Sequence, residues 1–219
     1  MSEKLKTLLL LPGVAVMLSL SACNGIFGDI YDTPTPEQDS EYGFVAVDEQ
    51  KGTGRIYINA TDYSQWHYIN LHRRQVVTAP AGGEAPAEWD FAVHRYDAKT
   101  RGGAVAETTA PDFSLLPGAA ALPEEAFVQD EWTTDKIAID MSQMMEGTIL
   151  YAEDYYNPCL SQWLDVDTST MPPVYTLSGK VYLLRLPDGT CAALRLTNFM
   201  SPAAIKGFMT IDYLYPVQL

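Results

Sequence analysis

An all-β domain is what this sequence predicts, and three observations carry the expectation. Short apolar or alternating runs recur between clusters of Gly, Pro, Asn and Asp, while apolar residues at helical spacing are hard to find beyond residue 42. Between Val181 and Leu196, two strand-like runs are parted by Pro187-Asp188-Gly189, a turn in which Gly189 supplies the positive φ.

In chain order the predicted strands are residues 43–47, 55–59, 66–71, 89–96, 136–140, 148–152, 175–177, 180–186, 191–197 and 208–215. Within 89–96, alternation puts Trp89, Phe91 and Val93 on one face and Asp90, Ala92 and His94 on the other, so one face is expected to be core. Residues 78–88 and 102–125, rich in Ala, Gly and Pro, read as excursions from the sheet. Ser201 as a cap and Pro202 at the first position predict one or two helical turns over 201–206.

The first 23 residues hold the strongest motif. Lys4 and Lys6 precede an apolar stretch from Leu8 to Leu20, which ends in Leu20-Ser21-Ala22-Cys23. This stretch of thirteen residues, interrupted by Pro12-Gly13, falls short of the ~20 that a spanning helix needs, so the segment reads as an export signal. Leu-Ser-Ala-Cys is similar to a bacterial lipobox, which implies an acylated Cys23 holding the protein on a lipid bilayer at the outer membrane or cell surface. The expected organisation is a signal peptide over 1–22, a lipidated tether over 23–41 and a folded domain over 42–219. Loss of 1–22 removes Glu3, Lys4 and Lys6, leaving 12 basic and 27 acidic residues, a net −15. A field of that sign argues against a nucleic-acid partner.

No catalytic constellation is legible. His67, His72 and His94 stand apart from any nucleophile motif, and the strand position of His94 suits a structural imidazole, so a binding protein is expected rather than an enzyme. Cys159 and Cys191 are open to two readings, a disulfide or two separate thiols. Asp165-Val166-Asp167-Thr168-Ser169 is a partial calcium loop without the turn Gly or the closing Glu. Methionine is more informative: Met141, Met144 and Met145 crowd into five residues, and Met171 precedes Pro172-Pro173, a poor setting for a core side chain.

Four features together resemble the HmuY family of haem-binding lipoproteins. They are the lipobox, Trp89-Asp90-Phe91-Ala92-Val93-His94-Arg95-Tyr96-Asp97, Val181-Tyr182-Leu183-Leu184-Arg185, and the tail from Lys206 to Pro216. The resemblance implies one hand-shaped all-β domain whose two finger loops close on a single haem b (iron protoporphyrin IX), each giving one axial ligand. It also implies haem capture from host or environmental haemoproteins and delivery to an outer-membrane receptor by a lipoprotein that is anchored or shed. A bis-His pair is absent, since no His follows residue 95. The family's Met-ligating branch instead implies Met171 on one loop and Met144 or Met145 on the other. Met144 is favoured on the expectation that adjacent residues of an extended segment point to opposite sides. Tyr175 is expected against the porphyrin, with Tyr151, Tyr155, Tyr156 and Trp163 as further aromatic cover. Two rivals remain at this stage. One is a glycan-binding adhesin using Trp66, Trp132 and Trp163 as stacking platforms; the other is a member that has lost haem, with Met141, Met144, Met145 and Met171 packed inside.

Overall fold

The structure is a computed structural model that describes residues 41–116 and 122–217. Cys23 and the signal and tether readings up to residue 40 lie outside the described residues. No helix among the described residues is long and apolar enough to cross a membrane.

The chain is all-β, with fifteen strands and, among the described residues, only short 3-10 turns as helical elements. They are β1 Gly43–Asp48, β2 Thr53–Asn59, β3 Gln65–Asn70, β4 Gln75–Pro80, β5 Phe91–His94, β6 Asp97–Thr100, β7 Ala104–Glu107, β8 Val128–Gln129, β9 Glu131–Asp140, β10 Leu150–Tyr156, β11 Leu164–Asp167, β12 Val174–Leu177, β13 Tyr182–Arg185, β14 Cys191–Met200 and β15 Lys206–Leu214. A seven-stranded antiparallel sheet runs β1-β2-β15-β14-β13-β7-β8, and a four-stranded one runs β4-β3-β5-β6. Two further hairpins, β9–β10 and β11–β12, belong to neither sheet.

The two large sheets share one core, in which Ile56, Ile58, Leu184, Leu194 and Ile211 of the first meet Ile69, Phe91 and Val93 of the second. Alternation along β2 and β14 places these side chains inward, and each buried aliphatic contributes about 1.5–3 kcal/mol. The 181–196 hairpin forms as predicted. β13 pairs with β14 from Tyr182↔Leu194 to Arg185↔Cys191, Gly189 has φ 87°, and its N–H donates to Leu186 O.

The 89–96 strand departs from expectation in two ways. It breaks at Arg95, whose φ of 52° turns β5 into β6, and both of its faces are buried. Phe91 and Val93 enter the main core, whereas Ala92 packs in a second cluster with Trp66, Tyr68, Ile137 and Ala152, and Trp89 packs there too. Trp89 precedes the strand, so alternation does not extend to it. Asp90 is held by accepting the Leu71 N–H at 2.6 Å. Residues 201–206 form a tight β14–β15 turn and no helix: Ser201 Oγ accepts from Ala203 N and Ile205 N, and Ser201 N donates to Ile205 O. Both excursions contain strands, β4 at the start of the first and β7 within the second. Cys159 and Cys191 are separate thiols in two different core clusters, each pushed above its usual range chiefly by burial.

Buried His67 makes the fold acid-sensitive. His94 is 1% exposed, with Nε2 2.6 Å from Tyr63 O. His67 bonds Thr78 Oγ1 through Nδ1, and burial, reinforced by the nearby His94, pushes its pKa down from 6.5 to about 4. The folded chain therefore holds a neutral ring that the unfolded chain protonates first. Stability is complete above about pH 6.5 and is lost as pH falls toward 4, by roughly 3 kcal/mol at ~1.4 kcal/mol per unit. Denaturant titrations at about pH 7 and about pH 4.5 are expected to differ by most of this amount, and less in His67→Gln.

Candidate functional site

The two hairpins outside the main sheets are built alike. In each, the first strand ends in an Asp whose carboxylate accepts the N–H two residues on: Asp140 from Ser142 N and Asp167 from Ser169 N, both at 2.8 Å. These local bonds start the turn and hold each carboxyl below its ordinary pKa, the Ser142 N–H being the main cause for Asp140 and the Ser169 hydroxyl for Asp167. Beyond Asp140, a 3-10 turn spans Met144–Glu146 and closes at Gly147, which has φ 82° and donates its N–H to Met144 O. Beyond Asp167, the turn carries Met171 and a cis Met171-Pro172 peptide.

The methionines therefore sit at the distal turns, and they face solvent. Met144 is 42% exposed, Met145 88% and Met171 81%, which removes the reading in which all of them pack inside. The core methionines are Met200 and Met209. Met144 and Met145 lie in a 3-10 turn, not an extended segment, so the expectation that they point to opposite sides loses its basis. Of twelve large apolar side chains exposed among the described residues, eight lie on these two hairpins: Trp132, Met144, Met145, Leu150, Tyr151, Tyr155, Met171 and Val174. Exposed apolar groups concentrated on two elements in this way are a common feature of binding surfaces.

Each hairpin turns one face to the protein. On β9 and β10, Ile137 and Ala152 pack on Trp66 and Tyr68, leaving Lys136 on the opposite face. On β11 and β12, Leu164, Val166, Tyr175 and Leu177 pack on the main core, leaving Asp165, Asp167, Val174 and Thr176 outward. A cleft of about 730 Å³ is lined by Lys136 and Tyr156 from the first hairpin and by Asp165, Thr176 and Leu177 from the second. Its size falls within the ~300–1,000 Å³ of ligand clefts. The Lys136 ammonium makes no ion pair among the described residues, whereas Lys180 at the cleft's other end is bound to Glu107 at 2.5 Å.

Several predicted aromatics lie elsewhere. Tyr175 sits on the core face of β12, its ring 5.6 Å from Phe199 and 5.5 Å from Tyr96 with the Lys206 ammonium 4.2 Å above it, and it does not line the cleft. Trp163 is fully buried and donates Nε1–H to Tyr96 O at 2.7 Å; Trp66 is fully buried as well, so neither can serve as a sugar platform. Trp132, 55% exposed, stacks edge-on to Tyr155. Asp165 and Asp167 belong to strand β11, and no group of three or more potential metal ligands occurs among the described residues. Lys136 escaped the sequence reading, although a lone cation beside a methionine-bearing turn in so acidic a chain was a usable signal.

The comparisons with known proteins agree with this architecture. The family model described as HmuY protein matches residues 62–213. A structure of a protein assigned as HmuY-like and haem-binding from Bacteroides vulgatus is 55% identical, with a TM-score of 0.76, covering 82% of this chain and all of that one. A structure assigned as a lipoprotein from Bacteroides fragilis is 50% identical, with a TM-score of 0.77, covering 84% and 100%. The apo HmuY analog of Tannerella forsythia is 25% identical, with a TM-score of 0.63, covering 76% and 97%. No curated protein matches the chain. On the extent of the family match and two relatives at half identity or more, the chain belongs to the HmuY family of haem-binding proteins.

Proposed function

We propose that this protein is a lipid-anchored haem-binding protein that grips iron protoporphyrin IX between its two projecting hairpins through methionine sulfurs. The observation that carries the reading is the placement of exposed thioethers at the turns of both hairpins flanking one cleft, in a chain of a haem-binding family. Met171 supplies one axial sulfur. Of Met144 and Met145, Met145 is the better placed for the other, since at 88% exposure its sulfur meets an incoming iron with the fewest protein atoms in the way.

Thioethers are soft, neutral donors that favour ferrous iron and raise its potential relative to imidazole. Apolar side chains of the two hairpins cover the macrocycle, while Lys136 receives one propionate. Of the cleft's other charged groups, Glu107 and Lys180 are paired with each other and Asp165 is acidic, so burial and iron–sulfur bonds supply most of the affinity, and salt alters it little. The proposed organisation is a signal peptide over 1–22, a tether over 23–41 acylated at Cys23, and the binding domain over 42–219, held at the outer membrane or cell surface. From there it takes haem from haemoproteins and passes it to an outer-membrane transporter.

The test is to titrate the full chain, in mild detergent, with ferric haem and then with dithionite-reduced haem, following the Soret and Q bands. A sharpened six-coordinate reduced spectrum at one haem per chain is expected; its absence rejects the reading. Met145→Ala is expected to weaken reduced-haem binding at least about tenfold and Met144→Ala by less than about threefold, given that disturbing even a metal's outer shell costs ~10–100-fold. The reverse order would transfer the ligand role to Met144.

A further inference from the structure

A second cavity, which shares no lining residue with the cleft between the hairpins, lies beside β10. It encloses about 580 Å³ between the β9–β10 hairpin and the β3–β6 sheet. Its walls are of three kinds. Ring surface comes from Trp89 and Tyr155, with Tyr68 set edge-on to Trp89 at 5.1 Å. Bare backbone comes from two glycine pairs, Gly82-Gly83 and Gly102-Gly103, the first glycine of each at positive φ, 75° and 68°. Polar groups come from Lys99, Arg101, Gln129, Asp130 and Glu153.

The polar groups divide sharply into used and unused. Lys99 is committed to Asp154 at 2.8 Å. Asp130 accepts from Thr100 N, Thr100 Oγ1 and Asn157 Nδ2. The side chains of Arg101, Gln129 and Glu153, by contrast, have no hydrogen-bond or ion-pair partner among the described residues. One cation, one carboxylate and one amide thus line a concave, ring-walled cavity with their hydrogen-bonding capacity unspent.

This balance selects a class of ligand. A strong anion would meet Glu153 and Asp130, and a strong cation would meet Arg101 and Lys99. A neutral polyhydroxyl compound suits every wall: each hydroxyl both donates and accepts, matching an amide beside opposite charges, and the C–H face of a pyranose stacks on an aromatic ring. We propose that this cavity is a saccharide-binding site, separate from the haem cleft, with Trp89 and Tyr155 as ring contacts and Arg101, Gln129 and Glu153 as hydroxyl contacts. It would let one lipoprotein hold a glycan, on a host glycoprotein or a cell surface, while the hairpin turns remain free for haem.

The experiment applies fluorescently labelled full chain in mild detergent to a glycan array, then measures the strongest glycans in solution by tryptophan fluorescence. Binding in the millimolar range or tighter is expected, with a loss of at least tenfold in Arg101→Ala and in Glu153→Ala. Both residues are on the surface, so intact circular dichroism and unchanged haem titration identify the loss as local. Binding to no glycan, or binding that both variants retain in full, overturns the proposal. Binding lost in Trp132→Ala but kept in the Arg101 and Glu153 variants also overturns it, by assigning the glycan to the hairpin's outer surface.

Discussion

Met171→Ala is expected to lose ferrous-haem binding by at least about a hundredfold while leaving the fold unchanged. The two halves of that expectation rest on different observations. Met171 is 81% exposed in a turn whose conformation is set by Asp167, Ser169, Pro172 and Pro173, so removing its side chain opens no cavity and breaks no hydrogen bond of the turn. On the proposed reading, however, it is the sole donor from its hairpin, with no neighbour to replace it, whereas Met145 has Met144 beside it. Losing a direct ligand costs at least as much as the ~10–100-fold typical of outer-shell changes. The checks are a reduced-haem titration and a denaturant midpoint measured together. Wild-type haem affinity in the variant excludes Met171 as a ligand; a fallen midpoint shows instead that the turn is structural.

The same chemistry separates haem release from unfolding. A thioether has no proton to gain in the neutral and mildly acidic range, so bis-Met ligation does not fail near pH 6.5 as imidazole ligation does. Acid loss of haem should follow the protein's own unfolding, to which His67 contributes through the stability lost between about pH 6.5 and 4. Haem release and far-ultraviolet circular dichroism are therefore expected to change together, and His67→Gln to shift both to lower pH. Release that precedes unfolding by more than about one pH unit would point to a titrating ligand.

How much of this was legible in the sequence depends on which forces fix each element. The β13–β14 hairpin was readable because its turn and both its strands are local. β7 was not: Ala104-Val105-Ala106-Glu107 has little strand propensity and is held by pairing with β13, nearly eighty residues away, a long-range bond that composition does not encode. β11 was missed as a strand because Asp165 and Asp167 face outward while only Leu164 and Val166 hold it on the core. The methionine turns were legible from thioethers set among polar residues and prolines. The cleft was not, since Lys136 and Thr176 meet only through tertiary structure. Tyr175 was a sound aromatic nomination by position, but the register of β12 turns it toward Phe199.

Asp154→Ala is expected to destabilise the protein by about 3–5 kcal/mol, far more than its place on a projecting hairpin suggests. Asp154 is paired with Lys99, a lysine only 6% exposed whose ammonium lies 4.2 Å from the Trp66 ring, 5.2 Å from Tyr68 and 5.8 Å from Trp89. Burial lowers the Lys99 pKa and Asp154 opposes that shift, so without Asp154 the cation is left under three rings with only the engaged Asp130 nearby. The sign of the pH dependence follows. A lysine whose folded pKa lies below its unfolded 10.5 destabilises the fold at neutral pH and ceases to do so as pH rises toward 10.5. The variant should therefore regain stability relative to wild type in alkaline buffer. Lys99→Met combined with Asp154→Leu removes both charges and is expected to recover most of the loss, because two apolar groups of similar bulk suit a site already walled by Trp66, Tyr68 and Trp89. Denaturant midpoints of the two single variants and the double variant at neutral and alkaline pH decide the matter. Strict additivity would show that the pair is uncoupled and that the β9–β10 hairpin is held on the sheet by its apolar contacts, Ile137 and Ala152 with Ile139 and Tyr156.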